Sequence, residues 1–247
     1  KKENLERRIL DKKTLILKRH MAGELENLYQ LFKSLELITP AELATVNESL
    51  KEAIAQVLIY CPVDRFYGNT MPLSSEETTA MEAIIAVAGK AHNSLNTALQ
   101  LLNSALLVRT RQNNAAYNQR ALRFYQRLMQ FTGPLMAKGV EDTLMYTNNR
   151  FIGHNEVGDS PLSFGLKPGD FHRLMLERQK NWPLSVNTTS THDTKRGEDV
   201  RARLNVLTDI PQEWFELVQQ WHSKHNGLKT DNAPDKNDEY FIYQSLL

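Results

Sequence analysis

The chain lacks the marks of several large protein classes. It has one cysteine, Cys61. No internal disulfide can form, which fits a reducing compartment. No apolar run approaches the roughly 20 residues that a membrane span needs. The opening "KKENLERRILDKK" has none of the apolar core of a secretory leader. The net charge is only +1, so there is no overall basic excess of the kind that marks a nucleic-acid partner. No glycine-rich phosphate loop, nucleophile elbow or CxxC pair is present. These absences point to a cytoplasmic protein with no membrane or nucleic-acid partner, and nothing in the sequence asks for a cofactor or a metal.

What is present suits a globular fold. Apolar residues make up 41% and charged residues 24% of 247, enough for a sizeable core. Residues 1–133 read as helix after helix. Leu5, Ile9 and Ile16, then Leu25, Leu28 and Leu35, follow a period near 3.6. Thr39, Pro40 and Glu42 spell a capped helix start, and Ser74 with Glu77 repeats the capping-box pattern. A further helix, "AAYNQRALRFYQRLMQF", is expected to stop at Gly133-Pro134.

From residue 134 to 210 the texture changes. Glycines and prolines concentrate there, and loops with short pieces of structure are expected. "PGDFHRLMLERQKNW" reads as a helix capped by Asp170, "PLSVNTTST" as a short buried strand, and "EDVRARLNVLTDI" as a helix. Residues 211–247 read as C-terminal helices, with Trp214 and Trp221 at core spacing and His222 and His225 snorkelling or facing solvent. The start, without Met and in helical sequence, suggests a piece of a longer protein.

The chemistry concentrates in "NTTSTHDTKRGEDVRARL". His192, Asp193, Lys195 and Arg196 crowd one turn between a strand-like and a helix-like segment. A carboxylate beside an imidazole and two cations suits binding of a polar substrate, and the cations would keep Asp193 ionised. An anionic Asp is what an oxocarbenium-like transition state needs nearby. Equally, the turn could be a solvated one whose Asp caps the next helix. A third reading is a helical His-Asp phosphohydrolase, with His154, His172, His222 and His225 as further metal ligands. A fourth is a non-catalytic helical interaction module. "AKGVEDT" places Lys138, Glu141 and Asp142 within five positions, either as a clamp for hydroxyls or as a solvated helix start.

Taken in order, "LMQFTGPLMAKGVEDTLMYTNNRFIGHNEVGDSP", "FH", "WP", "STHDTKRGEDVRARL" and "IPQEW" resemble the maltooligosyltrehalose synthases of the α-amylase superfamily. "LILKRHMAGELENL" and "YCPVDRFYG" share that family's texture. Departures are Asp64 in place of an aromatic residue, Met145 in place of Phe, and one glycine fewer in "NEVGDSP".

The resemblance implies a (β/α)8 barrel with a long helical insertion. It also implies an enzyme that moves the reducing-end α-1,4 linkage of a maltooligosaccharide to α,α-1,1. Asp193 then matches the third catalytic acid. His192, Lys195, Arg196, Lys138, Glu141, Asp142 and Tyr146 match substrate-binding positions. The nucleophile and acid/base would lie on other segments of the same parent chain. The expected fold class is therefore mainly α: a helical insertion (1–133), a late strand–turn–helix portion of the barrel (134–210) and C-terminal helices (211–247). The piece alone is expected to be inactive.

Overall fold

A computed structural model describes residues 2–112 and 114–247. Its regular structure is helical. Among the described residues the only β pairing is an isolated bridge between Thr230 and Ala233. Two compact units divide the chain, one of Arg7–Val140 and one of Glu141–Leu247 with the first residues.

The first unit is built on α1 (Lys2–Arg19) from Arg7 onward, α2 (Ala22–Ser34), α3 (Pro40–Val46), α4 (Leu50–Tyr60), α5 (Ser75–Ala91), α6 (Asn96–Asn103) and α7 (Ala115–Met136). The start of α3 follows the sequence closely. Thr39 Oγ1 accepts the Glu42 amide at 3.2 Å, and the Glu42 carboxylate accepts the Thr39 amide at 2.8 Å. At α5 only half of this box forms. Ser74 Oγ accepts the Glu77 amide at 3.2 Å, while the Glu77 carboxylate lies against Gly68, where an added Cβ would sit 2.6 Å from it.

Helix α4 is buried on nearly every side, from Ala53 to Ile59. A helix apolar all round belongs at a core's centre, and α2, α5, α6 and α7 pack around it. Phe32 and Phe124 meet edge-to-face at 4.9 Å, the geometry that ring quadrupoles favour.

Helix α7 does not stop at Gly133-Pro134. It runs through to Met136 and passes into a π-helical stretch, Ala137–Leu144. A proline inside a helix removes one donor and crowds the preceding turn. Here the apolar stripe outweighs that cost, because Leu128, Leu135 and the methyl-bearing Thr132 are all buried. Thr132 Oγ1 also donates to the Asp64 carbonyl at 2.6 Å and lies 2.8 Å from that of Met129.

The second unit carries α8, a single turn at Met145–Thr147, then α9 (Pro168–Asn181), α10 (Glu198–Val206), α11 (Pro211–His225) and α12 (Lys236–Ser245). Its core is small: Ile152, Leu204, Leu207, Trp214 and Tyr243. Trp214 and Trp221 stack edge-to-face at 6.0 Å, in line with their core spacing.

Several expectations need correction here. The strand "PLSVNTTST" is not formed. Leu184 and Val186 are 93% and 90% exposed, and the stretch is turn and coil. A strand needs a ladder partner for its backbone groups, and no other strand exists among the described residues. Asp170 is not the cap of α9. Lys167 holds that position, and Asp170 sits in the first turn, bonded to Arg173 at 2.9 Å. Of the two readings for His222 and His225, snorkelling fits better than full exposure, since both are half-buried with polar partners. His222 Nδ1 meets Glu239 at 2.9 Å, and His225 Nδ1 meets the Tyr243 hydroxyl at 3.2 Å.

Candidate functional site

The stretch Ala137–Leu144 carries Lys138, Glu141 and Asp142, and its winding is π-helical. A π turn adds a residue and re-aims the side chains around it. Lys138 belongs to the Arg7–Val140 unit, while Glu141 and Asp142 belong to the Glu141–Leu247 unit.

Within the second unit, two distant motifs meet. Lys195 Nζ donates to Asp142 Oδ1 at 2.5 Å. The Asp142 carboxylate holds the Lys195 ammonium above its ordinary pKa, against the opposing effect of burial. Glu141 accepts the Gly158 amide at 3.0 Å, which fastens the glycine turn "NEVGD". At Gly158 φ is +74°, a left-handed conformation that glycine adopts without strain.

Glu156 forms the central tie. Its Oε1 accepts the Lys195 amide at 2.7 Å and the Val157 amide at 3.0 Å, and its Oε2 accepts the Arg196 amide at 3.4 Å. Arg196 reaches back to the carbonyls of Ile152 and Asn155 at 3.1 and 3.2 Å, and lies over the Phe241 ring at 5.7 Å. Tyr146 packs beside the same ring at 5.7 Å. His154 pairs with Asp159 at 2.6 Å and stacks on Phe164 at 4.5 Å.

His192 and Asp193 stand at the edge of this arrangement. Their side chains are 92% and 66% exposed, and 3.5 Å separates His192 Nε2 from Asp193 Oδ2. The Asp193 amide donates to Thr191 Oγ1 at 3.2 Å. Asp193 does not cap α10, since Gly197 is its N-cap. Lys195 and Arg196, though close to Asp193 in sequence, turn away from it. Among the described residues neither forms an ion pair with it, because Asp142 takes the ammonium and backbone carbonyls take the guanidinium. The pair also lies on a turn, not on the helix that a His-Asp phosphohydrolase would need.

The structure thus brings Asp142, Lys195 and Arg196 into one network with Glu141 and Tyr146 beside it. Sequence reasoning missed Glu156. Its signal was present, a carboxylate in a glycine-bearing turn, but nothing local told which amides it would bind 39 residues later.

The arrangement can be set beside known proteins. No family model matches the chain. A Mycobacterium tuberculosis protein provisionally named maltooligosyl trehalose synthase is 47% identical over 121 residues, which is 49% of this chain and 15% of that protein. The solved maltooligosyltrehalose synthase of Arthrobacter ramosus superposes with a TM-score of 0.72 at 26% identity. It matches 96% of this chain and 27% of its own. The chain resembles the maltooligosyltrehalose synthases. A hypothetical maltooligosyl trehalose synthase from Sulfolobus tokodaii agrees, at 25% identity and a TM-score of 0.68 over 98% of this chain and 27% of its own. The family read from the motifs is therefore the family of the relatives. The chain spans about a quarter of the length of the solved structures it matches and less of the curated relative. Among the described residues no helix is long and apolar enough to cross a membrane.

Proposed function

We propose that this chain supplies the third acid and part of the substrate-binding wall of an intramolecular transglucosylase. That enzyme converts the reducing-end α-1,4 linkage of a maltooligosaccharide to α,α-1,1, giving a maltooligosyl trehalose. The C1–O4 bond breaks, and the same C1 is bonded to the anomeric oxygen of the released glucose. Anomeric retention uses a nucleophile and an acid/base about 5–5.5 Å apart. Those two residues belong to other barrel segments of the parent, which works in the cytoplasm. Asp193 stabilises the oxocarbenium-like charge and binds hydroxyls, with His192 beside it. Lys195, Arg196, Asp142, Glu141, Tyr146 and Lys138 line or brace the reducing-end sugars.

One observation carries this reading. The two cations nearest Asp193 are consumed internally, Lys195 by Asp142 and Arg196 by carbonyls. Asp193 is left exposed on a turn whose backbone Glu156 fixes. A carboxylate on a turn braced from outside itself is the kind of fixed group that an oxocarbenium-like transition state needs nearby.

The test is the parent enzyme with Asp193 or with Asp193→Asn, given maltopentaose, with loss of reducing ends as the readout. The expected result is a fall in kcat of at least roughly 10²–10³ with helical content unchanged. Equal rates would remove Asp193 from the mechanism. The isolated chain should turn over no maltopentaose.

A further inference from the structure

The Arg7–Val140 unit carries a second feature, independent of the His-Asp turn. An open groove of about 930 Å³ runs between α2 and α7. Its apolar floor includes Leu28, Leu31 and Phe131. Its rim is rich in hydrogen-bond donors: Arg65, Arg123 and Arg127, with the amides of Asn27 and Gln130, while the Gln126 amide donates to the Gly68 carbonyl at 3.4 Å. Glu24 is the one carboxylate among the lining residues.

The state of the three guanidinium groups decides what the groove suits. Among the described residues none of them has a carboxylate partner. Arg127 bonds a neutral amide, Gln130 Oε1, at 2.6 Å. Arg65 lies 5.1 Å from the Tyr67 ring. Arg123, one turn before Arg127 on α7, lines both this groove and a neighbouring one. By contrast Arg120, on the same helix, is spent on structure: it bonds the Leu35 carbonyl at 2.8 Å and lies over Tyr117. Amide oxygens of the rim could accept hydroxyl protons of a neutral sugar, but three guanidinium groups against one carboxylate favour an anion. The groove offers planar forked donors, the groups that bind phosphate bidentately.

We propose that this groove binds a phosphorylated sugar. The arginines take the phosphate, the amides meet hydroxyls, and the apolar floor takes the C–H face of the ring.

The probes are glucose 6-phosphate, inorganic phosphate and maltose, each titrated calorimetrically into the purified chain at low and high salt. Glucose 6-phosphate should bind more tightly than inorganic phosphate, maltose should give no binding heat, and added salt should weaken the ester. Arg123→Gln and Arg127→Gln should each weaken glucose 6-phosphate by about ten-fold. Both side chains are exposed, so helical circular dichroism should not change. Absence of binding, equal binding of maltose or of inorganic phosphate, or indifference to both substitutions would each overturn the proposal.

Discussion

Glu156 and Lys195 are joined through a backbone, not a side chain: the carboxylate accepts the Lys195 amide at 2.7 Å. The side chain of Lys195 is thereby free to turn to Asp142. The turn that carries Asp193 is thus fixed from outside itself. Glu156→Ala should speed hydrogen exchange at the amides of Lys195 and Arg196 by ten-fold or more, since a hydrogen bond to a charged group contributes about 1.5–3 kcal/mol. Glu156→Gln keeps one acceptor oxygen and should recover part of that protection. Unchanged exchange in the alanine variant would show that other contacts hold the turn.

Lys13 makes the stability of the first unit depend on alkaline pH. It is 1% exposed and donates to the Cys61 carbonyl at 2.8 Å. Burial pulls its ammonium down to about 8, with Cys61 and Asp64 opposing. In the unfolded chain it titrates near 10.4. The unfolded state therefore binds more protons between those values, and stability rises with pH across that window. Below pH 8 both states are charged and the penalty is complete, of order 3 kcal/mol. The burial-raised Cys61 thiol acts in the opposite sense, so the check is a difference. Urea stability of the native chain minus that of Lys13→Met should climb from pH 8 to pH 10. A flat difference would refute this account.

Gly139 lies against the same lysine. A Cβ there would come within 2.9 Å of Lys13 Cγ and 3.1 Å of its Cα. Backbone cannot yield as a side-chain tip does. Gly139→Ala should cost about 1–3 kcal/mol through overpacking, read as a lower urea midpoint. A neutral or stabilising result would mean that the π-helical stretch moves aside.

Acid should attack the second unit through Glu239. Burial alone would raise its carboxyl, but bonds from Lys229, Tyr243 and His222 outweigh that and hold it at about 2. The unfolded value is near 4.3. The stabilisation is complete above that value and is lost as pH falls through the interval down to about 2. Tryptophan fluorescence of Trp214 and Trp221 should report unfolding in that range. Glu239→Gln should be weaker at neutral pH and show a smaller loss in acid.

The first unit was largely legible because its signals are local. A capping box such as Thr39–Glu42 and an apolar period such as that of α4 need no distant partner. What escaped depended on distance. Pro134 looked like a stop because a local rule cannot weigh a buried Leu135 against a missing donor. Leu184 and Val186 looked like a strand because β propensity says nothing about whether a ladder partner exists. At the site, the chemistry of His192, Asp193, Lys195 and Arg196 could be read from their types. Which cation served which carboxylate could not, because Asp142 lies 53 positions from Lys195.

The two hydrophobic clusters differ greatly in extent, one threading α1 to α7 and the other resting on five buried side chains. Tolerance to mutation should divide accordingly. A truncation such as Ile54→Ala removes about 2–5 kcal/mol from a core with many other contacts. A comparable loss at Trp214 takes away a fifth of its cluster. The segment that holds the candidate chemistry is the one with the least structural reserve, and selection for foldability there must act on a handful of positions.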